Sequence, residues 1–228
     1  MKIETTPIQD LVIINPTVFE DARGYFFEAY NQNALVAEGI HINFVQDNQS
    51  FSKRGTLRGL HYQNPPFAQT KLVRVFQGAI MDVVVDLRKE SPTYGQHFAI
   101  KLSAENKKQL LIPHGFAHGF SVLSETAIVF YKCDQFSNKA SEGGIRFDDP
   151  ALNIDWGIDL KTAIVSEKDK DLLGIKINIT KSDIEDYDRS VYMSEYVTIP
   201  KTRLRRMIIS EVLGWGISAI LVLITLFK

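Results

Sequence analysis

The sequence predicts an all-β fold over roughly its first 173 residues, with two packed sheets forming a sandwich or jelly-roll barrel. Three observations carry that prediction. Between Ile3 and Leu173 the chain divides into many short apolar runs of strand length. Turn-like pieces such as Ser103-Ala104-Glu105-Asn106 and Ser124-Glu125 separate them. Only one stretch in this region, residues 33–38, offers a short helix. Regularly spaced short strands with few helices bury their apolar faces by packing sheet against sheet.

The strands follow in order. The first informative one contains Gly55-Thr56-Leu57-Arg58-Gly59-Leu60-His61-Tyr62. Strand side chains alternate faces, so Arg58 and His61, three apart, do not share a face on spacing alone. Gly59 between them permits a bulge that turns both toward one cavity. There a histidine can act as a base near neutral pH and an arginine can hold an anion. Residues 72–76 and 80–87 are apolar runs flanking Gln77-Gly78-Ala79, which predicts a hairpin. Residues 97–102, 109–112, 120–123 and 127–133 are further strand candidates. In the last of these Ala127, Val129 and Tyr131 share one face.

The run Ile112-Pro113-His114-Gly115-Phe116-Ala117-His118-Gly119-Phe120 places two histidines four apart. On a helix that spacing suits a metal ion, but Pro113, Gly115 and Gly119 argue against a helix, so no metal site is assigned. A turn delivering His118 into the cavity is the preferred reading.

Composition narrows the class. A net charge of −1 over 228 residues gives no case for a polyanion-binding surface. Cys133 is the only cysteine, which excludes an intrachain disulfide and suits a reducing compartment. It reads as a small buried hydrophobe. Residues 1–7 hold no apolar run of the secretory-signal type, so the catalytic part is expected in the cytosol.

The C-terminal region differs in kind. Residues 177–200 read as a polar linker with Asp183, Glu185, Asp186 and Asp188 clustered in it. Lys201, Arg203, Arg205 and Arg206 then precede an apolar run over 207–227, interrupted by Glu211. As a helix that run extends about 32 Å, enough for a bilayer core, with the basic side cytoplasmic. A membrane tail anchor over 201–228 is the expectation. The competing reading is an apolar helix packed on the protein or in an oligomer.

Taken together the motifs become recognisable. Arg23-Gly24-Tyr25-Phe26-Phe27-Glu28, Gln46-Asp47-Asn48, Leu57-Arg58-Gly59-Leu60-His61-Tyr62-Gln63 and Lys71-Leu72-Val73-Arg74-Val75 occur in order. Asp86-Leu87-Arg88, Ser91-Pro92-Thr93-Tyr94-Gly95, the 112–120 run, Tyr131-Lys132, Glu142-Gly143-Gly144-Ile145-Arg146 and Ser166-Glu167-Lys168-Asp169 follow. This series resembles the dTDP-4-dehydrorhamnose 3,5-epimerases, cupin-type enzymes of dTDP-L-rhamnose synthesis, over about residues 1–175. The tail lies outside the family pattern.

The resemblance implies a cupin-like jelly roll acting on dTDP-4-dehydro-6-deoxy-D-glucose. The C4 ketone of that sugar acidifies the protons on C3 and C5. Inversion at each carbon then needs a base on one face, an acid on the other and a cation near the ketone oxygen. No cofactor or metal is implied. His61 matches the family's base and Asp169 its carboxylate partner, with Asp171 the less favoured competitor. Tyr131 matches the acid and Lys71 the cation. Arg23, Arg58 and Lys71 match positive donors to the diphosphate; Glu28, Gln46, Asp47 and Asn48 resemble contacts to base and sugar. His118, Glu142 and Lys168 also fall on ligand positions. Arg23 and Glu28 belong to a strand that family members contribute to a partner subunit, which implies a homodimer. Phe136 matches one stacking ring, but Ser137 stands where the family usually has a second aromatic residue, which puts the base-stacking contact in question. A single-position epimerase or keto-isomerase of another dTDP-deoxysugar, and a non-catalytic membrane-recruited nucleotide-sugar-binding module, are the alternatives.

Overall fold

The computed structural model describes residues 1–175. The expected linker and apolar helix over 177–228 therefore lie outside the described residues. Among the described residues no helix is long and apolar enough to cross a membrane.

Two antiparallel sheets face each other. The first runs in the order β1 (Lys2–Thr5), β2 (Val12–Asn15), β10 (Gln109–Ile112), β7 (Lys71–Gln77), β12 (Thr126–Cys133) and β5 (Gln46–Lys53). The second runs β13 (Glu142–Gly144), β6 (Leu57–Gln63), β11 (Phe116–Val122), β8 (Ala79–Asp86) and β9 (His97–Ser103). A small hairpin pairs β3 (Phe19–Asp21) with β4 (Gly24–Phe26). This is the expected all-β jelly roll. The expected helix is present as α1 (Gln32–Ala37), capped where Asn31 accepts from the Ala34 N–H.

The core follows from strand alternation. Val73 and Val75 of β7, Ala127 and Val129 of β12, and Ile80 and Val84 of β8 meet between the sheets. Met81, Val83 and Val85 of β8 point the other way, against a second cluster with Leu57, Leu60, Ile145, Leu152 and Trp156. Residues 145–175 thus cover the outer face of the second sheet. That is why β8 reads as an almost continuous apolar run: both its faces are covered.

Two expectations need correction. The runs on either side of Gly78 do not form a hairpin; β7 lies in the first sheet and β8 in the second. Gly78, at φ +77°, makes the crossing, and a Cβ there would lie 2.1 Å from the Thr126 carbonyl oxygen. A short Gly turn between apolar runs signals a change of direction, and that change can lead to the facing sheet as readily as to the neighbouring strand. His118 is likewise not on a turn but inside β11. The turn ends at Gly115, whereas Gly119 serves close backbone approach: a Cβ on it would meet the Arg58 carbonyl at 2.6 Å.

One charged cluster is structural. The fully buried Asp86 accepts from Arg88, Ser91 and Thr93, and Arg88 continues to Asp10. Burial pushes the Asp86 carboxyl up, but those donors outweigh it and hold it at about 2. The contribution to stability is therefore present above the ordinary carboxylate value and lost as pH falls toward about 2.

Candidate active site

The site begins with a local irregularity in β6. His61 is registered opposite His118 and Arg58 opposite Phe120, so three residue steps on β6 match two on β11. The bulge turns Arg58 and His61 toward the same cavity, as the glycine between them permits. Gly59 sits at φ +127°, and a Cβ on it would lie 2.5 Å from Gly119 Cα. Only glycine fits at that crossing.

The cavity, about 430 Å³, opens between the sheets. His61, Arg58, Lys71, His118, Tyr131 and Asp169 all line it. Lys71 enters because it shares strand parity with Val73 and Val75; Tyr131 enters with Ala127 and Val129, on the face expected from the sequence. Lys71 Nζ lies 5.9 Å from the Tyr131 ring centroid.

Asp169 arrives from far along the chain. It occupies the first turn of α2 (Glu167–Lys170), where its N–H donates to the Ser166 side chain. The residue is buried, and its Oδ1 lies 2.7 Å from His61 Nε2. Its Oδ2 accepts from the Gly59 N–H. Burial pushes the Asp169 carboxyl up, but the His61 hydrogen bond and charge, with Gly59 and Ser166, pull it below its ordinary value. The contribution of this carboxylate to stability is therefore present above the ordinary value of 3.8 and lost as pH falls through the lowered one. An ionised carboxylate only accepts, so the His61 proton sits on Nε2 and the basic lone pair on Nδ1.

The other groups are set by the same rules. Burial, helped by Cys133, pushes the Tyr131 phenol up against the opposing Arg58, so it keeps its proton at neutral pH. Burial pushes the Lys71 ammonium down, with Cys133 and Asp82 opposing. His118 Nε2 lies 2.9 and 3.1 Å from the two oxygens of the fully buried Asp82. Cys133 is buried as expected and receives the Asn48 amide at 3.6 Å. Arg58 is steadied by Ser52 Oγ at 3.0 Å.

The remaining predicted residues lie outside the lining of this cavity. Gln46 brackets Ser137, donating to its Oγ at 2.8 Å and accepting from its N–H at 3.0 Å. Ser137 thus holds the loop carrying Phe136, a residue 62% exposed. Asp47 pairs with Lys132, and Glu142 pairs with Lys168 at 2.6 Å, which holds the Glu142 carboxyl below its ordinary value. Arg23 and Glu28 sit in or just after the β3–β4 hairpin, bonded to Asp21 and Asn31 respectively.

Sequence reasoning left Ser50, Ser52, Gln63 and Asp82 unassigned. Ser50 lines the cavity. Gln63 braces the Phe136 loop, donating to the Phe67 and Phe136 carbonyls and accepting from the Asn138 N–H. Asp82 carried a usable signal, as a carboxylate between Met81 and Val83 in the apolar run of β8, where only a paired charge is tolerated.

Comparison with known proteins agrees with this geometry. A profile of the family described as dTDP-4-dehydrorhamnose 3,5-epimerase matches residues 5–176. The dTDP-4-dehydrorhamnose 3,5-epimerase of Shigella flexneri is 49% identical over 170 residues, covering 74% of this chain and 93% of its own. The crystal structure of the Elizabethkingia anophelis enzyme of that name superposes with a TM-score of 0.74 at 52% identity, covering 77% of this chain and 97% of its own. A Legionella pneumophila dTDP-6-deoxy-D-glucose-3,5-epimerase, solved in complex with dTDP-4-keto-L-rhamnose, gives 0.74 at 44% identity, covering 78% and 94%. With its two-sheet fold, its cavity and these relatives, the chain belongs to the dTDP-4-dehydrorhamnose 3,5-epimerase family.

Proposed function

We propose that this protein epimerises dTDP-4-dehydro-6-deoxy-D-glucose at C3 and C5 to dTDP-4-dehydro-L-rhamnose, in dTDP-rhamnose biosynthesis. The observation that carries the reading is one cavity holding a carboxylate-paired histidine, a protonated tyrosine and a half-buried lysine. His61 Nδ1 takes the proton from the carbon beside the ketone, and Asp169 steadies the imidazolium that results. The electron pair of the broken C–H bond moves onto the ketone oxygen, where Lys71 offsets the enolate charge. Tyr131 returns a proton to the opposite face, and the carbon is inverted. Proton transfer alone balances this chemistry. Arg58 faces the same cavity and suits a phosphate oxygen.

NMR of that substrate with the full chain in D₂O tests the reading. Deuterium at both C3 and C5, with the L-rhamno product, is expected. Label at one carbon would make the protein a single-position epimerase, and no label with nucleotide bound would make it a binding module.

The same reading includes a homodimer and a membrane tail. Supporting the first, the first sheet leaves Phe51 and Phe76 exposed on its outer face, with Phe76 stacked on Phe130 and Arg74 between Phe27 and Phe76. Beside it the hairpin exposes Phe19, Tyr25 and Phe26 and holds Arg23 with its side chain 90% exposed. Such a face suits a second copy, with Arg23 and Glu28 reaching the neighbouring cavity. The tail rests on sequence alone. Fractionation followed by light scattering reads both: the chain should sediment with membranes and, once extracted, have twice the monomer mass. Recovery without detergent would remove the anchor, and a monomer mass would remove the dimer.

A further inference from the structure

Strand β5 turns Asn48, Ser50 and Ser52 toward the space between the sheets, every second residue. Two of the three have protein partners: Asn48 donates to Cys133 Sγ, and Ser52 receives Arg58 Nε. Ser50 differs. Its Oγ is buried and has no hydrogen-bond partner in the protein. The other such side-chain atom among the described residues, Gln109 Oε1, belongs to an amide already tied through Nε2 to the Ala29 carbonyl. Gln109 is not part of the cavity lining, whereas Ser50 is.

A buried hydroxyl without a partner is unfavourable, and native proteins rarely leave one so unless water or a ligand completes it. Ser50 is registered opposite Val129, one inward position along the sheet from the Asn48–Tyr131 pair. The orphaned oxygen therefore sits on the same wall as the proposed acid and faces the cavity that holds His61 and Lys71. Its chemistry suits a neutral partner. A serine hydroxyl both donates and accepts, as a sugar hydroxyl or ketone requires, while a diphosphate is better met by Arg58.

We infer that the Ser50 hydroxyl is a sugar-binding group that hydrogen-bonds an oxygen of the hexose and helps hold the ring between His61 and Tyr131. The inference rests on the epimerase reading above. Because Oγ bonds no other group of the protein, its removal breaks no internal hydrogen bond, which separates a ligand role from a structural one.

The test compares Ser50→Ala with wild type in the full chain by turnover of dTDP-4-dehydro-6-deoxyglucose, affinity for dTDP alone, and melting temperature. The expected result is kcat/KM lower by about 3- to 10-fold, the range of one neutral hydrogen bond. The dTDP affinity and melting temperature should stay unchanged. A variant with wild-type kcat/KM, beside a wild type that turns over, would overturn Ser50 and leave the epimerase reading standing. Weaker dTDP binding in proportion would place the hydroxyl on the nucleotide and overturn the sugar contact, as would a lowered melting temperature that accounts for the lost activity. A wild type that neither turns over nor binds the nucleotide would take down the epimerase reading, and the Ser50 contact with it.

Discussion

His61→Ala is expected to lower turnover of the 4-keto sugar nucleotide by about 10²- to 10⁴-fold, the range of a positioned general base. The whole effect should fall on chemistry. Nδ1 is the proton acceptor in the proposed step, and the 2.7 Å contact with Asp169 is what orients it. In the proposed mechanism one base serves both carbons, so deuterium incorporation from D₂O should fall at C3 and C5 together. The fold should survive, because the side chain is 38% exposed and its loss opens no sealed cavity. Asp169 keeps its contacts to Gly59 and to the Ser166 turn. Initial rates and site-resolved exchange check this. Near-wild-type turnover in a folded variant would sink the mechanism.

Tyr131→Phe should have an effect of similar size but a different signature. The substitution keeps the ring, which packs with Ala127 and Val129 in the main core, so the melting temperature should barely move. What disappears is the phenolic proton that burial keeps in place at neutral pH. Epimerisation should fall by about 10²- to 10⁴-fold. Abstraction by His61 does not need the phenol, and the same histidine can return deuterium to the face it came from. Exchange without inversion is therefore expected, with label accumulating in recovered substrate. If inversion and exchange fell together, Tyr131 would be acting on binding or on the first step. If neither fell, the acid would be another group.

The two variants probe parts of the site that were legible to different degrees. Tyr131 was placed by periodicity: a strand repeats every two residues, so Ala127 and Val129 in the core put Tyr131 on the inward face. The same rule brings Lys71 inward with Val73 and Val75, although a lysine at a strand start reads as solvated until its parity is counted. The Arg58–His61 bulge was legible too, because a glycine between two polar residues in an apolar strand has few other uses. Asp169 was not legible from the residues themselves. In the run from Glu167 to Asp171 it looks like one solvated charge among several, and only family resemblance preferred it to Asp171. In the structure it is a buried carboxylate beneath His61.

The sequence by itself determined the fold class, the strands from β6 to β12, the shared face of Ala127, Val129 and Tyr131, and the types of group available for proton transfer; β1 to β5 and β13 were not read from it. Each depends on a pattern a few residues long, and strand alternation and turn chemistry act at that range. Tertiary structure alone decided that Gly78 leads to the facing sheet, that His118 lies within a strand paired to His61, and that Asp169 meets a histidine 108 residues away. It also decided that, among the buried hydroxyls of the described residues, Ser50 is the one left without a protein partner. Those outcomes follow from sheet order, register and the path of residues 145–175 across the second sheet. They minimise exposed apolar area over the whole domain, and no short stretch of sequence carries that information.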